Sequence, residues 1–275
     1  MTARMPAILP FLVMLAGVIS SGMTRPASAQ DLYVSDAIVT GTGEENREIG
    51  FRECLSEVLV KVSGNQRVLE APALAPLLER AGSFVASFAY RDRLEGIPIH
   101  DEQGTHDRPH DLTCRYDPAT INRLLDTLGS RPWPQPRRRI AVLFAVHDQK
   151  RSFMLTSDGD ESPYMAESLA AATVPLALEA RLPERETLAQ EKLGLDVLSS
   201  ERAAQLERLA KKIGGDAVLA GTISWSDEAL GWIADWQLDR AGKTHRWQIR
   251  GVSFDDAFRN AVRGAAQILS GNGAP

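Results

Sequence analysis

Three histidines, His100, His106 and His110, lie close together in the segment HDEQGTHDRPHD. The same segment holds four carboxylates, namely Asp101, Glu102, Asp107 and Asp111. Imidazole and carboxylate groups are good ligands for Zn²⁺ and Cu²⁺. The spacing matches no zinc signature, however, and a long hairpin tip lacks the fixed neighbours that orient metal ligands. The segment therefore predicts a solvated loop, with a metal site at the three histidines as the alternative.

Three tryptophans are the second group of residues with recognisable chemistry. Trp232, Trp236 and Trp247 alternate with other residues along two predicted strands. If exposed, they would form an aromatic platform for a glycan or a protein partner. Aromatic residues that alternate on a strand more often form the inner face of a sheet beneath a helix. We therefore favour core packing for the three rings and keep ligand binding as the alternative.

The chain has two cysteines, Cys54 and Cys114. Cys54 falls on the apolar stripe of a predicted helix, and Cys114 shares a strand face with Leu112 and Tyr116. Both are expected to face one core. A disulfide between them would contribute about 4 kcal/mol in the chain-entropy model. Two buried free thiols are the alternative, because a sequence does not show the separation of the two Cα atoms.

Known catalytic and cofactor motifs are missing from the sequence. The segment GTGEEN at 41–46 lacks the third glycine of a dinucleotide loop, and its acids would repel a pyrophosphate. The chain contains no Gly-x-Ser-x-Gly elbow, phosphate-binding loop, Cys-x-x-Cys pair or paired histidines flanking a glutamate. These observations predict no catalytic residue and no cofactor, and they favour a protein that is not an enzyme.

The first residues have the form of a secretory signal. Arg4 precedes an apolar run over residues 7–19, and Ala27-Ser28-Ala29 is typical of a cleavage site. The run is too short for a transmembrane helix, which needs about 20 apolar residues. The sequence predicts a Sec-type signal peptide at 1–29 with cleavage between Ala29 and Gln30. The mature protein is then periplasmic or secreted, without a membrane span.

A proline-rich linker divides the rest of the chain. Its segment RPWPQP holds three prolines, which forbid a helix and favour an extended spacer. We expect the linker at 131–139, between an N-terminal α+β domain at 30–130 and a C-terminal α/β domain at 140–270. The arginines at 137–139 predict a solvated edge, with a basic docking site as the alternative.

The order of the predicted elements gives the fold class. Before the linker, the order is strand, helix, short helix, strand, strand and helix, which implies one sheet covered on one face. After the linker, strands at 140–146, 174–180 and 217–225 alternate with helices, which implies a parallel core. A polar loop is expected at 149–163. Two further strands and a helix over 254–269 complete the chain, so each domain is expected to be a small mixed sheet covered by helices.

Several blocks of the sequence resemble an uncharacterised bacterial envelope family, domain of unknown function 2066. The blocks are CLSEVLVKVSGN at 54–65, SFAY at 87–90, DLTCRYD at 111–117, AVLAG at 217–221 and WIADWQL at 232–238. The resemblance implies export and the architecture above. It supplies no catalytic residue, because the family has no established activity.

Two classes of function fit these observations. The favoured hypothesis is an exported, non-catalytic cell-envelope protein that binds other envelope proteins or assists their assembly. The alternative is a cell-wall glycan-binding protein or hydrolase that uses the tryptophan face or the cleft between the two domains. The formal net charge of −5 argues against nucleic acid, which requires a basic surface. The sequence predicts no particular small-molecule ligand.

Overall fold

A computed structural model of the protein describes residues 32–97 and 107–275, and these residues form a mixed α/β structure with two sheets. The described helices are α1 (Glu44–Ser63), α2 (Ala75–Leu78), α3 (Pro118–Thr127), α4 (Pro163–Thr173), α5 (Arg185–Gln190), α6 (Ala203–Lys212) and α7 (Phe254–Ser270). The described strands are β1 (Val34–Thr40), β2 (Val85–Asp92), β3 (Pro109–Tyr116), β4 (Ile140–His147), β5 (Ser152–Met154), β6 (Ala180–Arg181), β7 (Ala217–Ser226), β8 (Gly231–Arg240) and β9 (Lys243–Val252).

The N-terminal sheet is antiparallel, in the order β1-β3-β2, and α1 covers one of its faces. Glutamates in the first turn of α1 suit the positive end of the helix dipole. The helix ends at Gly64, which has a φ of 66° and donates its N–H to the carbonyl of Val60. The apolar stripe of α1 is buried, and it includes Phe51, Cys54, Leu55 and Val58. The predicted α+β layer is confirmed.

The C-terminal sheet has the order β5-β4-β7-β8-β9, and β6 also pairs with β4. β4 runs parallel to β6 and β7, whereas β8 and β9 extend the sheet as antiparallel hairpins. All but the last residue of β4 are buried, as expected for a strand that is covered on both faces. The parallel core and the two added strands are therefore confirmed.

The closing helix α7 lies across the tryptophan-bearing face of this sheet. Its N-cap is Ser253, whose hydroxyl accepts the N–H of Asp256. Trp236 is 1% exposed, and its indole N–H donates to the side-chain oxygen of Asn260 on α7 at 3.1 Å. Phe144 on β4 stacks on Phe258 on α7, with ring centroids 5.8 Å apart. This confirms that the helix covers the aromatic side of the sheet.

Two local predictions are wrong. Residues 174–180 do not form a full strand: Val174–Leu176 is a short 3-10 helix, Ala177 has a φ of 49°, and only Ala180 joins β6. Pro175 lacks the N–H that a central strand requires, which explains the break. The loop expected at 149–163 contains β5, because the Asp148 carboxylate accepts two backbone N–H groups and turns the chain back onto β4.

The two sheet layers share one apolar core. The carboxyl-terminal ends of α1 and α7 meet there: the Gln267 side chain accepts the N–H of Gln66 at 2.8 Å, and the Asn272 amide donates to the carbonyl of Ser63 at 3.1 Å. The division into domains at 30–130 and 140–270 stays a prediction. The signal peptide predicted for 1–29 lies outside the described residues. Within the described part of the chain, none of the helices is long and apolar enough to cross a membrane.

Candidate functional site

The histidine cluster is only partly covered by the described residues. His100 and His106 lie outside them, whereas His110 is on β3. Its Nδ1 lies 2.7 Å from the carbonyl of Arg108, and its ring packs edge-on against Tyr90. The described residues contain no group of three or more histidine, cysteine, aspartate or glutamate side chains that could hold a metal. The metal site at the three histidines stays a prediction.

The three tryptophans considered as a platform have different environments. Trp236 is buried beneath α7, as described above. Trp247 packs against Gly264 on α7, where an added Cβ would lie 2.6 Å from the indole ring. Trp232 is half-buried and packs edge-to-face against Trp225, which is 36% exposed. A surface ligand could therefore reach the Trp225–Trp232 pair but not Trp236.

Cys54 and Cys114 are buried free thiols in this structure. The Cys54 thiol lies 3.6 Å from the carbonyl of Ser35 and 3.7 Å from that of Leu112. Hydrogen bonding with Cys54, and then burial, raise the pKa of Cys114. The Cys54 thiol on α1 thus contacts β3, the strand that carries Cys114. The disulfide itself stays a prediction.

The arginine run at 137–139 does not form a uniform solvated edge. The Arg137 guanidinium donates to the carbonyls of Lys61, Val62 and Leu176, and it stacks over Trp133 with its carbon 4.5 Å from the ring centroid. Burial lowers the pKa of Arg137 to about 10. Because it caps the end of α1 from the start of the C-terminal half, Arg137 joins the two sheet layers.

A cleft of about 1000 Å³ lies beside this run. Its walls are α6 and the strands β7 and β8, and its lining includes Arg139, Lys211 and Gln237. Arg139 is paired with Asp216 at 3.2 Å, and this hydrogen-bonded pair lowers the pKa of Asp216. All the lining residues fall between 136 and 239, so this cleft is not the one predicted between the two domains.

The edge strand β2 presents unpaired backbone groups. Among the described residues, β2 pairs only with β3. Arg93 donates its N–H to the carbonyl of Pro109 across that pair at 3.1 Å. Hydrogen-bonded residues alternate in an antiparallel pair, so Ala89 and Arg91 also bond to β3. Phe88 and Tyr90 therefore direct their N–H and C=O groups away from the sheet.

The side chains of β2 form an aromatic row on the α1 side of the sheet. Phe88 is 45% exposed although its ring contacts Phe51 at 5.2 Å and Tyr90 at 5.8 Å between centroids. The Arg47 guanidinium lies over the Phe88 ring at 5.7 Å. We call this surface, made of Arg47, Phe88, Tyr90 and the outer backbone of β2, the β2 edge.

The opposite edge strand of the same sheet, β1, is partly blocked. Tyr116 on β3 donates its N–H to the carbonyl of Tyr33, so the odd-numbered residues of β1 bond to β3. By the same alternation, the even-numbered residues of β1 direct their backbone N–H and C=O groups away from the sheet. The outward carbonyl of Val34 accepts from the Lys61 ammonium at 2.6 Å, and that of Thr40 accepts from the Asn46 amide. Side chains thus occupy two of the outward carbonyls of β1, whereas no side chain among the described residues bonds to the outward backbone groups of Phe88 and Tyr90.

The C-terminal sheet has β5 at one end of its strand order and β9 at the other, and the longer edge strand, β9, carries charge. Its sequence KTHRWQIRGV places Lys243, Arg246 and Arg250 along the edge, and its pairing with β8 shifts register near Trp232. Charged residues and bulges are common means of preventing unwanted pairing of strand edges. β2, with the sequence VASFAYRD, also shifts register at its start, between Val85 and Ser87, and carries charge at its end. Its middle residues, 87–90, are uncharged and pair in regular register, so this stretch is the one best suited to accept another strand.

Sequence reasoning did not identify the β2 edge as a candidate site. The alternation of Phe84, Ala86, Phe88 and Tyr90 predicts a strand with one apolar face, which indicates a covered face. The sequence does not show that α1 packs over β1 and β3 and leaves β2 uncovered. The one available signal is that β2 enters a long hairpin, since a hairpin at the end of a sheet places one of its strands at an edge.

The described fold is a mixed α/β structure with two sheets. Residues 27–134 match a family described as a domain of unknown function (DUF8605). The matched residues include β1 to α3 and make up less than half of the chain. The resemblance to domain of unknown function 2066 is therefore wrong, because the N-terminal blocks that suggested it lie in the region that matches this different family. Short apolar blocks that end in a glycine helix stop recur in unrelated helices, which explains the error. No curated protein and no solved structure matches the chain.

Proposed function

We propose that this is an exported, non-catalytic protein of the cell envelope that binds an extended segment of another protein along the β2 edge. A partner strand would add to β2 through main-chain hydrogen bonds, with side-chain contacts to Phe88 and Tyr90 supplying selectivity. The observation that carries the proposal is a contrast between strand edges. β1 is capped at two of its outward carbonyls and β9 is charged along its length, whereas the middle of β2 is open, uncharged and aromatic.

Export belongs to this proposal and rests on the signal-like residues 1–29. Cleavage after Ala29 would release the mature chain into the periplasm, where other envelope proteins are available as partners. Amino-terminal sequencing of the protein recovered from a periplasmic fraction tests this step. A mature protein whose first residue lies far from Gln30, or a protein recovered with the cytoplasmic fraction, would contradict export with cleavage at this site.

The division into two domains at the linker 131–139 also belongs to the proposal. The N-terminal layer would carry the binding edge, and the C-terminal layer would anchor it through the shared core and Arg137. Limited proteolysis tests the division. A cut within 131–139 that leaves two stable fragments supports two domains, whereas coordinated loss of both halves supports one folding unit.

Backbone amide exchange provides a direct test of strand addition. In the free protein, the N–H groups of Ala89 and Arg91 should exchange slowly because they bond to β3, and those of Phe88 and Tyr90 should exchange quickly. A partner that adds to β2 should slow exchange at Phe88 and Tyr90 and leave the other two unchanged. Protection elsewhere, with these two amides unaffected, would refute the proposed surface.

The partner can be found by placing a photo-crosslinking amino acid at position 88 in the exported protein. Position 38 is the matched control, since Ile38 is 57% exposed and lies on β1 of the same sheet. We expect a repeatable crosslinked protein from position 88 and none from position 38. Phe88→Asp should abolish its capture, and Ile38→Asp should not.

A glycan-binding function remains a second candidate because of the exposed aromatic pair. Trp225 and Trp232 meet edge-to-face with centroids 5.7 Å apart, and the Trp225 indole N–H donates to Asp227 at 2.8 Å. Aromatic faces of this kind stack on sugar rings. Binding to purified cell-wall polymer that is lost in Trp225→Ala and kept in Phe88→Asp would favour this candidate over the peptide-binding one.

A further inference from the structure

We infer that the segment bound by the β2 edge is an acidic, extended peptide in which apolar residues alternate with glutamate or aspartate. This inference rests on the proposed function and specifies the chemistry of the partner. It follows from what an added strand would meet on each of its two faces.

On the α1 side of the sheet, an added strand would meet the aromatic row. Its side chains on that face would lie beside Phe88 and Tyr90, since successive residues of a strand point to opposite faces. Phe88 is 45% exposed, and covering it removes apolar surface from water. Apolar residues at every second position of the peptide fit this face.

On the outer side of the sheet, the added strand would meet arginines. Arg91 is 77% exposed and bonds to Asp111 at 2.6 Å, and Arg93 reaches the same carboxylate at 3.5 Å. Two guanidinium groups thus share one acid among the described residues. The small side chain of Ala89 leaves space beside them, so an acidic residue of the peptide could pair with the unshared N–H groups of Arg91.

Arg47 adds a third positive charge at the edge of the aromatic row. It lies over Phe88 and forms no ion pair with a described residue. Among the described residues, Asp111 is the one ion-pair partner of Arg91 and Arg93, and Arg47 lies over Phe88. Charge complementarity at the rim of an interface selects partners more strongly than it raises affinity. The charge pattern therefore favours acidic peptides and disfavours basic ones.

Two synthetic peptides test the inference. The first alternates valine with glutamate over eight residues, and the second replaces each glutamate with lysine. Fluorescence anisotropy of the labelled peptides against the mature chain gives both dissociation constants. We expect the glutamate peptide to bind about tenfold more tightly than its lysine twin, and the ratio to fall as salt rises because the charges are near the surface.

Variants separate the charge effect from strand addition. The double substitution Arg91→Gln with Arg93→Gln should bring the ratio of the two constants close to one. Arg259→Gln is the matched control, since Arg259 on α7 also pairs with an exposed aspartate at 2.6 Å, and it should leave the ratio unchanged. The thermal unfolding midpoint of each variant confirms that it is folded.

The possible outcomes are distinguishable. Equal binding of both peptides, lost in Phe88→Asp, would overturn the acidic preference and leave the proposed function standing. Failure of both peptides to bind would count against strand addition to β2 itself. Tighter binding of the lysine peptide would reverse the inference and point to a basic partner.

Discussion

Trp236 and Phe88 belong to the same kind of aromatic row, yet one is 1% exposed and the other 45%. Both rows alternate along a strand and both face a long helix. α7 crosses over β8 and β9 and covers Trp236 completely, whereas α1 packs on β1 and β3 and leaves β2 at the margin. The difference shows that alternating apolar residues on a strand define a face that can be buried. Whether that face is buried depends on where the neighbouring helix lies.

The two rows therefore have different roles in the molecule. The row under α7 stabilises the fold, because burying a large ring removes much apolar surface from water. The row on β2 contributes less to stability, because nearly half of the Phe88 ring stays in water. The following predictions change the two rows or the residues that support them, from the largest expected effect to the smallest.

Trp236→Ala should reduce the free energy of unfolding by about 3–5 kcal/mol, as expected for a large ring removed from a core. The Asn260 side chain would also lose its hydrogen bond from the indole. Urea denaturation followed by circular dichroism measures the change. A loss below about 1 kcal/mol would mean that the covered row does not hold the sheet and helix together.

Oxidation of Cys54 and Cys114 should stabilise the layer that carries β2. A disulfide between α1 and β3 would contribute about 2–4 kcal/mol by restricting the unfolded chain. Unfolding with and without a reductant measures the difference. The double variant Cys54→Ala with Cys114→Ala is the control, and its free energy of unfolding should be the same with and without the reductant. Recovery of two free thiols from protein exported to the periplasm would exclude the bond.

Gly264→Val should cost about 1–3 kcal/mol, because a side chain at this position overlaps the Trp247 ring. Trp247→Leu would remove part of that ring and should relieve the clash in the double variant. We therefore expect a double-mutant cycle to show that the two substitutions together destabilise the protein less than the sum of their separate effects. Additive effects would show that α7 and β9 do not contact closely here.

Phe88→Ala should change stability by about 1 kcal/mol or less, since nearly half of the ring is already in water. The same substitution should strongly weaken binding of the extended peptide. Thermal unfolding and peptide anisotropy measured on the same sample separate the two effects. A large loss of stability together with normal binding would reverse the roles assigned to the two rows.

Much of the fold could be predicted from local patterns. The helix stop at Gly64, the N-cap at Ser253 and the alternation around Trp236 each have one structural solution, and the structure contains all three. The short strands β5 and β6 could not be predicted, because they depend on pairing with β4 rather than on their own residues. Prediction of such pairing requires knowledge of the neighbouring strand.

The candidate site was less predictable than the fold for a related reason. In the sequence, Lys61 and Asn46 are ordinary polar residues of a helix. That they partly block the β1 edge becomes clear only from their contacts with Val34 and Thr40. The sequence likewise predicts a solvated position for Arg137, because its burial depends on where α1 lies. Sites built from backbone groups leave little trace in side-chain composition.

The caps on β1 have a consequence for self-association. A sheet that can pair at both margins can extend copy after copy into a fibre, because each addition creates a new acceptor at the far end. In this protein Lys61 and Asn46 occupy two of the outward carbonyls of β1, so that margin is a poorer acceptor for a further strand than β2. A second copy that added to β2 would leave a partly blocked β1 strand at each end of the joined sheet, which disfavours growth into a fibre.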